Sequence, residues 1–382
     1  MNKWTFVGFS ALEIGFWCIH ASFITYASAY LMGKGISGTA MSMMLSSYLL
    51  SAFVGSLFWG RVCDRYASNR KPFMISMAVS AALIYGLYFL ADYSVMVEVI
   101  YPLLGFFFQP HAANADAWLI AACKRDQNLF GRIRCMPSIA YAFVCAAFGY
   151  LIERFGYVSM LFGGTFFVMM AIISAFLLKD EIAEEAAPEQ KQEKGSMKQL
   201  FAHPAYRMLI VILFLVGLSI APINNLKIII FENVGGGVRH IGIDAFVGAL
   251  TQVPFIAMSA ATQRLSIRHR FRMMALFPFA MILLTWPAVS PWMVIAGNCI
   301  YNIGYGILLP TMRDVTERHV KRELRNFGHN LSDTVFSSFS GIISLMYAGA
   351  VSDRFGAGAM LGICLMIAAV PVALSLAYRE EV

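Results

Sequence analysis

Asp116 and Arg134 stand eighteen residues apart in otherwise largely apolar segments, within Asn-Ala-Asp116-Ala-Trp-Leu-Ile and Arg-Ile-Arg134-Cys-Met-Pro-Ser138-Ile-Ala-Tyr141. A charged side chain in apolar surroundings is costly unless it meets an opposite charge or water, so the two are expected to face each other or a common aqueous cavity. The planar guanidinium suits bidentate contact with vicinal hydroxyls or a carboxylate. Arg134, Ser138 and Tyr141 recur at helical spacing and form one polar stripe, unless Arg134 is simply a charged anchor at the start of its helix. Glu13, Trp17 and His20 share a face in the same way, where a carboxylate beside a histidine could carry a proton or touch a solute, or Glu13 could snorkel to a membrane surface. Asn224, Asn225 and Lys227 interrupt a third apolar run. Its lysine would attract an anionic group, whereas its amides could equally glue helices together. Asn298, Tyr301, Asn302 and Tyr305 put four hydrogen-bonding groups on one face of a fourth run. His111, Asn114 and Trp118 point well away from Asp116 at about 100° per residue, which leaves Asp116 as the residue of its helix chosen for the site.

The elements that must carry these groups are membrane spans. The 382 residues are 59% hydrophobic and only 13% charged, too little polar surface to cover a water-soluble globule of this size. A helix needs roughly 20 apolar residues to cross a hydrocarbon core. Such runs are read at 5–31, 38–60, 72–92, 96–122, 133–152, 157–178, 208–231, 243–261, 272–289, 291–312, 328–350 and 357–377. Together they predict an all-α integral membrane protein of twelve transmembrane helices, with the first run retained rather than cleaved as a leader. With the amino terminus placed inside, all 29 basic residues fall on the cytoplasmic side except Lys34, Arg154, Lys227, Arg239 and Arg354. That asymmetry follows the positive-inside rule and puts both termini in the cytoplasm. The net charge of +7 is then a topology signal, and no nucleic-acid partner is expected. Seven cysteines without paired spacing imply neither a disulfide framework nor a metal site, and no cofactor is implied.

The longest polar segment, 179–207, has the composition of a charged linker and divides the spans six and six. The expected organisation is an amino-terminal bundle at 1–178, the cytoplasmic linker, and a carboxyl-terminal bundle at 208–382. Landmarks recur about 200 residues apart, including Pro110 with Pro310 and Arg154-Phe155-Gly156 with Arg354-Phe355-Gly356. Related runs end spans two, five and eleven: Gly60 to Tyr66, Gly149 to Gly156, and Gly349 to Gly356. Two homologous halves, each built from inverted three-helix repeats, account for the pattern.

On these residues the chain resembles the major facilitator superfamily. The superfamily's loop signature between spans two and three appears as Gly60, Asp64, Arg65, Arg70 and Lys71, with one residue more than usual before Arg70. The resemblance covers the whole chain. It implies two pseudo-symmetric six-helix bundles and a gating role for Asp64 with Arg65 and Arg70 as partners, where the plainer alternative is anchoring of a cytoplasmic loop. Spans four and five are similar to the proton-linked symporter group that includes lactose permease, phenylpropionate permease and nucleoside symporters. In that group a span-four carboxylate pairs with a span-five arginine eighteen residues on, and an aromatic seven residues later stacks on sugar. The matching residues here are Asp116, Arg134 and Tyr141.

The match fails in the carboxyl-terminal half. The group's span-ten histidine and glutamate fall at Asn302 and Tyr305, and its span-eight glutamate at Gln252 or Ala249. None of these replacements titrates near neutral pH. A coupled proton would have to ride on Asp116, Glu13 or, in span eleven, Asp333. The resemblance therefore implies a monomeric transporter in a bacterial inner membrane, importing a small polar solute such as a sugar or glycoside with a proton, with sodium or no coupling ion left open. Nucleosides or aromatic acids, a drug or metabolite exporter, and a non-transporting receptor or enzyme are the alternatives. The chain lacks H-E-x-x-H, G-x-S-x-G and phosphate-loop motifs, which disfavours the enzyme.

Overall fold

A computed structural model describes residues 3–123, 126–180, 197–258 and 262–378. The chain is helical throughout these residues, as it must be where no water is available to satisfy backbone amides and carbonyls. Span one runs Lys3–Gly33, span two Gly38–Tyr66, span three Arg70–Phe89, span four Ser94–Ala122 and span six Val158–Leu177. Span five is Gln127–Phe155, so Arg134 sits about two turns inside its helix and not at the first residue. Span seven is Pro204–Asn225 followed by Lys227–Asn233, span eight Val238–Ala257, span nine Ile267–Thr285 and span ten Pro291–His319. Span eleven begins at Arg325–Thr334 and runs into Ser340–Ala377, which Gly356, at φ 83°, divides into spans eleven and twelve.

Sequence chemistry explains where these helices start, stop and bend. Ser37 accepts the amide of Ala40, and Ser266 that of His269, at the heads of spans two and nine. These are N-caps that satisfy amides the helix leaves over. Pro110 breaks span four into Ser94–Phe108 and His111–Ala122. Span seven contains Pro222 and leaves helical geometry at Leu226. Two π turns, His20–Ile24 and Val335–Phe339, interrupt spans one and eleven.

The chain forms two compact units. One comprises Met1–Pro188 with Ile241–Phe246, and the other Glu189–His240 with Val247–Val382. Most of the linker expected at 179–207 lies outside the described residues, apart from a short helix at Met197–Leu200. Many large apolar side chains stay exposed, such as Phe162, Phe166 and Leu177. This is the surface a lipid-facing bundle should carry.

Within the first unit, spans two and four cross closely through glycine. A Cβ on Gly55 would collide with the Phe106 carbonyl, and one on Gly105 with the Tyr48 carbonyl. Small residues at such crossings let backbones approach and gain dispersion contacts that lipid does not offer. Gly105→Val is expected to lower stability by about 1–3 kcal/mol through overpacking. Thermal unfolding in detergent measures this. Gly86→Ala, whose new methyl would meet only Ile100 at 3.4 Å, should leave the midpoint unchanged.

Candidate functional site

The first unit gathers a charged and aromatic cluster from spans one, four and five. Arg134 Nε lies 3.0 Å from Asp116 Oδ1, and both side chains remain about a third exposed, at 30% and 32%. The pair is paired and wetted at once, as an ion pair at membrane depth needs to be. The guanidinium lies over the Trp17 indole, 5.0 Å from its centroid. Trp17 in turn meets Tyr141 edge-on at 6.4 Å and His20 at 6.2 Å, and His20 and Tyr141 approach to 6.0 Å.

Glu13 completes the cluster. It is 0% exposed, and among the described residues neither carboxylate oxygen makes a well-formed hydrogen bond, the Trp17 side chain being the donor that acts on it. It therefore does not snorkel to a surface. Asp116 and Arg134 both act on it electrostatically. Two carboxylates and one guanidinium sum to a charge of minus one when all are ionised. A buried, uncompensated charge is costly, so the cluster calls for one further positive charge, whether a proton or a cationic group.

The π turn of span one shapes the same wall. Thr25 Oγ1 donates to the carbonyl of His20 at 3.0 Å and lies 3.3 Å from the Tyr141 hydroxyl. Thr25 was not among the residues the sequence singled out, because an α-helical count places it on a different face from His20. Ser138 was, yet it is exposed and makes no hydrogen bond to the cluster among the described contacts. His111 and Trp118 turn inward instead. His111 Nε2 bonds Ser76 Oγ at 2.9 Å, and Trp118 Nε1 donates to the Lys179 carbonyl at 3.1 Å.

The second unit carries an uncharged polar face. Asn302 Nδ2 donates to the Asn298 carbonyl at 2.8 Å and to its side-chain oxygen at 3.0 Å. Tyr301 and Tyr305 stand 5.9 Å apart, and Tyr305 meets Phe336 of the second π turn at 6.2 Å. Asn224, Asn225 and Lys227 flank the break at Leu226. Pro222 lies one turn before that break, whose Leu226 amide still bonds the Pro222 carbonyl at 2.9 Å. Discontinuous helices of this kind are how transporters expose backbone groups to a solute. Asp333 is exposed at the start of span eleven, unlike Glu13.

The loop after span two carries the residues expected to gate. Asp64 and Arg65 are exposed. Arg70 engages the end of span six, with Nη1 donating to the Leu178 carbonyl at 3.4 Å and the guanidinium over the Phe176 ring at 5.3 Å. It is Asp180 that takes the amides of Asn69 and Arg70, each at 3.0 Å, and so caps span three. Asp180→Ala should cost about 1 kcal/mol, as loss of an N-cap does. Faster amide exchange over residues 68–73, with Asp180→Asn partly restoring protection, is the expected readout.

The second unit meets the same need with an ion pair that sequence reasoning missed. Arg270 is 1% exposed and bonds Asp314 at 2.7 Å, and Asp314 also accepts from Arg318 at 2.8 Å. The available signal was position, since Arg270 follows Arg70 by 200 residues.

Comparison with known proteins places this geometry in context. Residues 14–362 match the family model described as MFS_1 like family. The chain is similar to a maltose permease of Geobacillus stearothermophilus, 23% identical over 93% of this chain and 90% of the relative. It is also similar to the multi-drug resistance efflux pump PmrA of Streptococcus pneumoniae, 23% identical over 82% of this chain and 79% of the relative. Among solved structures it resembles the nucleoside transporter NupG, with a TM-score of 0.81 at 14% identity over 99% of this chain and 98% of that one. A bacterial homologue of the lysosomal transporter Spinster, inward-facing and occupied, aligns with a TM-score of 0.72 at 10% identity over 99% of this chain and 97% of that one.

Proposed function

We propose that this chain, which belongs to the MFS_1 like family of membrane transporters, imports a small polar solute, a sugar or glycoside, together with a proton. The family and the structural neighbours are transporters, not enzymes, and the chain is a multi-pass membrane protein. The observation that carries the finer reading is the cluster in the first unit, where a fully buried carboxylate lies within the field of a half-wet ion pair whose guanidinium covers an indole.

Each part of that cluster has work to do. The Trp17 and Tyr141 rings offer apolar faces to the C–H surface of a sugar ring, and Asp116 and Arg134 offer acceptors and donors to its hydroxyls. A proton on Glu13 supplies the missing positive charge. Solute binding at the pair changes the field at Glu13, and protonation of Glu13 changes the pair's affinity for solute by the same factor. Asn298, Asn302 and Tyr305, with Asn224 and Lys227, are the neutral and cationic groups that the second unit offers to a solute, and alternating access moves it. Division into bundles at 1–178 and 208–382, a monomeric state and a bacterial inner membrane complete the reading, with both termini in the cytoplasm, a placement that the distribution of basic residues supports.

The similarity to the maltose permease favours sugar import, while NupG and PmrA keep nucleosides and drug export as the second reading. Proteoliposomes loaded with the purified chain separate them. Uptake of labelled sugars, nucleosides and aromatic acids is measured with and without an inward proton gradient. Gradient-driven accumulation of a sugar, with alkalinisation outside, is the expected result. Accumulation only against an outward substrate gradient, or no dependence on protons, overturns it.

A further inference from the structure

The repeated Arg-Phe-Gly corners have no part in the transport cluster. Gly156 and Gly356 adopt φ 80° and 83°, a region that only glycine enters cheaply, and each ends a span and turns the chain at once into the next. The preceding phenylalanines, Phe155 and Phe355, are 61% and 73% exposed. The arginines, Arg154 and Arg354, are two of the five basic residues that the positive-inside count leaves off the cytoplasmic side.

The two corners differ in what lies beside them. At the second, the Trp286 indole donates to the Gly358 carbonyl at 3.0 Å, and a Cβ at Gly362 would touch its ring at 3.7 Å. At the first, the equivalent positions are Val158 and Phe162. Here a groove of about 470 Å³ opens between spans five and six, walled by Phe148, Leu151, Phe155, Val158, Phe162 and Gly163. Its only polar wall residue is Ser159, whose hydroxyl is turned onto the Leu151 carbonyl at 3.3 Å. Arg154 stands beside the wall residue Phe155. Its guanidinium lies 5.6 Å from the Phe155 centroid and donates to the Tyr150 hydroxyl at 3.0 Å, leaving other N–H groups for a ligand. Glu153 precedes it by one residue and so projects about 100° away around the helix.

We propose that this corner is a binding site for one anionic phospholipid, with an acyl chain in the groove and the headgroup phosphate on Arg154 and Tyr150. An apolar groove in a membrane-spanning bundle is filled by lipid tails, and a basic residue beside it selects among headgroups by charge. The arginine fork suits a phosphate better than a point charge would. The site is independent of which solute the chain carries.

Native mass spectrometry of the full-length protein in neutral detergent tests this, with phosphatidylglycerol and phosphatidylcholine of identical chains titrated in parallel. The wild type is expected to hold one phosphatidylglycerol in preference to phosphatidylcholine. Arg154→Gln should weaken phosphatidylglycerol about five-fold and leave phosphatidylcholine unchanged, as loss of one basic residue at a membrane surface predicts. Arg154→Lys should retain part of the preference. Val158→Trp, which fills the groove and leaves the charge, should reduce both lipids. Arg354→Gln should change neither. Equal retention of the two lipids by wild type, undiminished phosphatidylglycerol on Arg154→Gln or Val158→Trp, or an equal loss on Arg354→Gln overturns the assignment.

Discussion

Asp116→Asn is expected to cut substrate uptake about a hundredfold, the low end of the effect seen when one partner of a buried charge pair is truncated, because this pair is about a third exposed. The amide keeps the shape of the side chain and removes its charge. Arg134, 3.0 Å away, then holds its guanidinium over Trp17 without its contact ion pair. Two consequences follow in the same variant. The positive charge no longer needed by the pair satisfies Glu13 instead, so the demand for a proton falls. Solute hydroxyls meet an amide that can donate as well as accept, in a site built around an acceptor. Counterflow, which needs binding and movement but no driving force, should fall together with gradient-driven uptake. Retention of wild-type counterflow would place the solute elsewhere. Because both side chains are about a third exposed, the variant should still fold, and monodisperse purification is the control.

Glu13→Gln should behave differently. Glutamine is a permanent copy of the protonated acid, and it enters a position that is 0% exposed without adding a charge. Exchange of solute across the bilayer should survive within about a few-fold, while accumulation driven by a proton gradient should be lost, as follows when binding and coupling reside on separate groups. The pH dependence of counterflow should flatten, since the group that links protonation to affinity is gone. A variant that still accumulates solute against its gradient would move the proton to Asp116. Loss of both activities would mean that Glu13 touches the solute. The contrast between the two variants, one impaired in every mode and one uncoupled, is the strongest available test of the cluster.

Much of this was legible in the residues. The spans follow from apolar runs of sufficient length, and the Asp116 to Arg134 pairing follows from the cost of leaving either charge alone in a membrane. Helical spacing correctly separated Asp116 from His111 and Trp118, which serve packing. Three features were not legible, each for a physical reason. Glu13 could have stood at a surface or inside, because position along an apolar run does not reveal rotation relative to neighbouring helices. Asp180 as the cap of span three is a contact across 110 residues, which no local pattern encodes. Arg270 with Asp314 likewise joins two spans through side chains that read, in sequence, as ordinary cytoplasmic anchors.

The π turn at His20–Ile24 has a consequence for how span one can be altered. In an α-helix a step of five residues ends about 140° from its start, whereas a π turn closes its hydrogen bond over those same five residues. Thr25 thereby comes to hang beneath His20 and reach Tyr141. The span is in effect two helices of different phase spliced by one surplus residue. Deleting one residue between positions 20 and 24 would heal the backbone into a regular helix, and Trp17 and Thr25, then seven apart, would stay on one face. Deleting a residue between Trp17 and His20 instead, with the π turn left in place, would turn the two about 100° apart, although the membrane would accept a span of the same length.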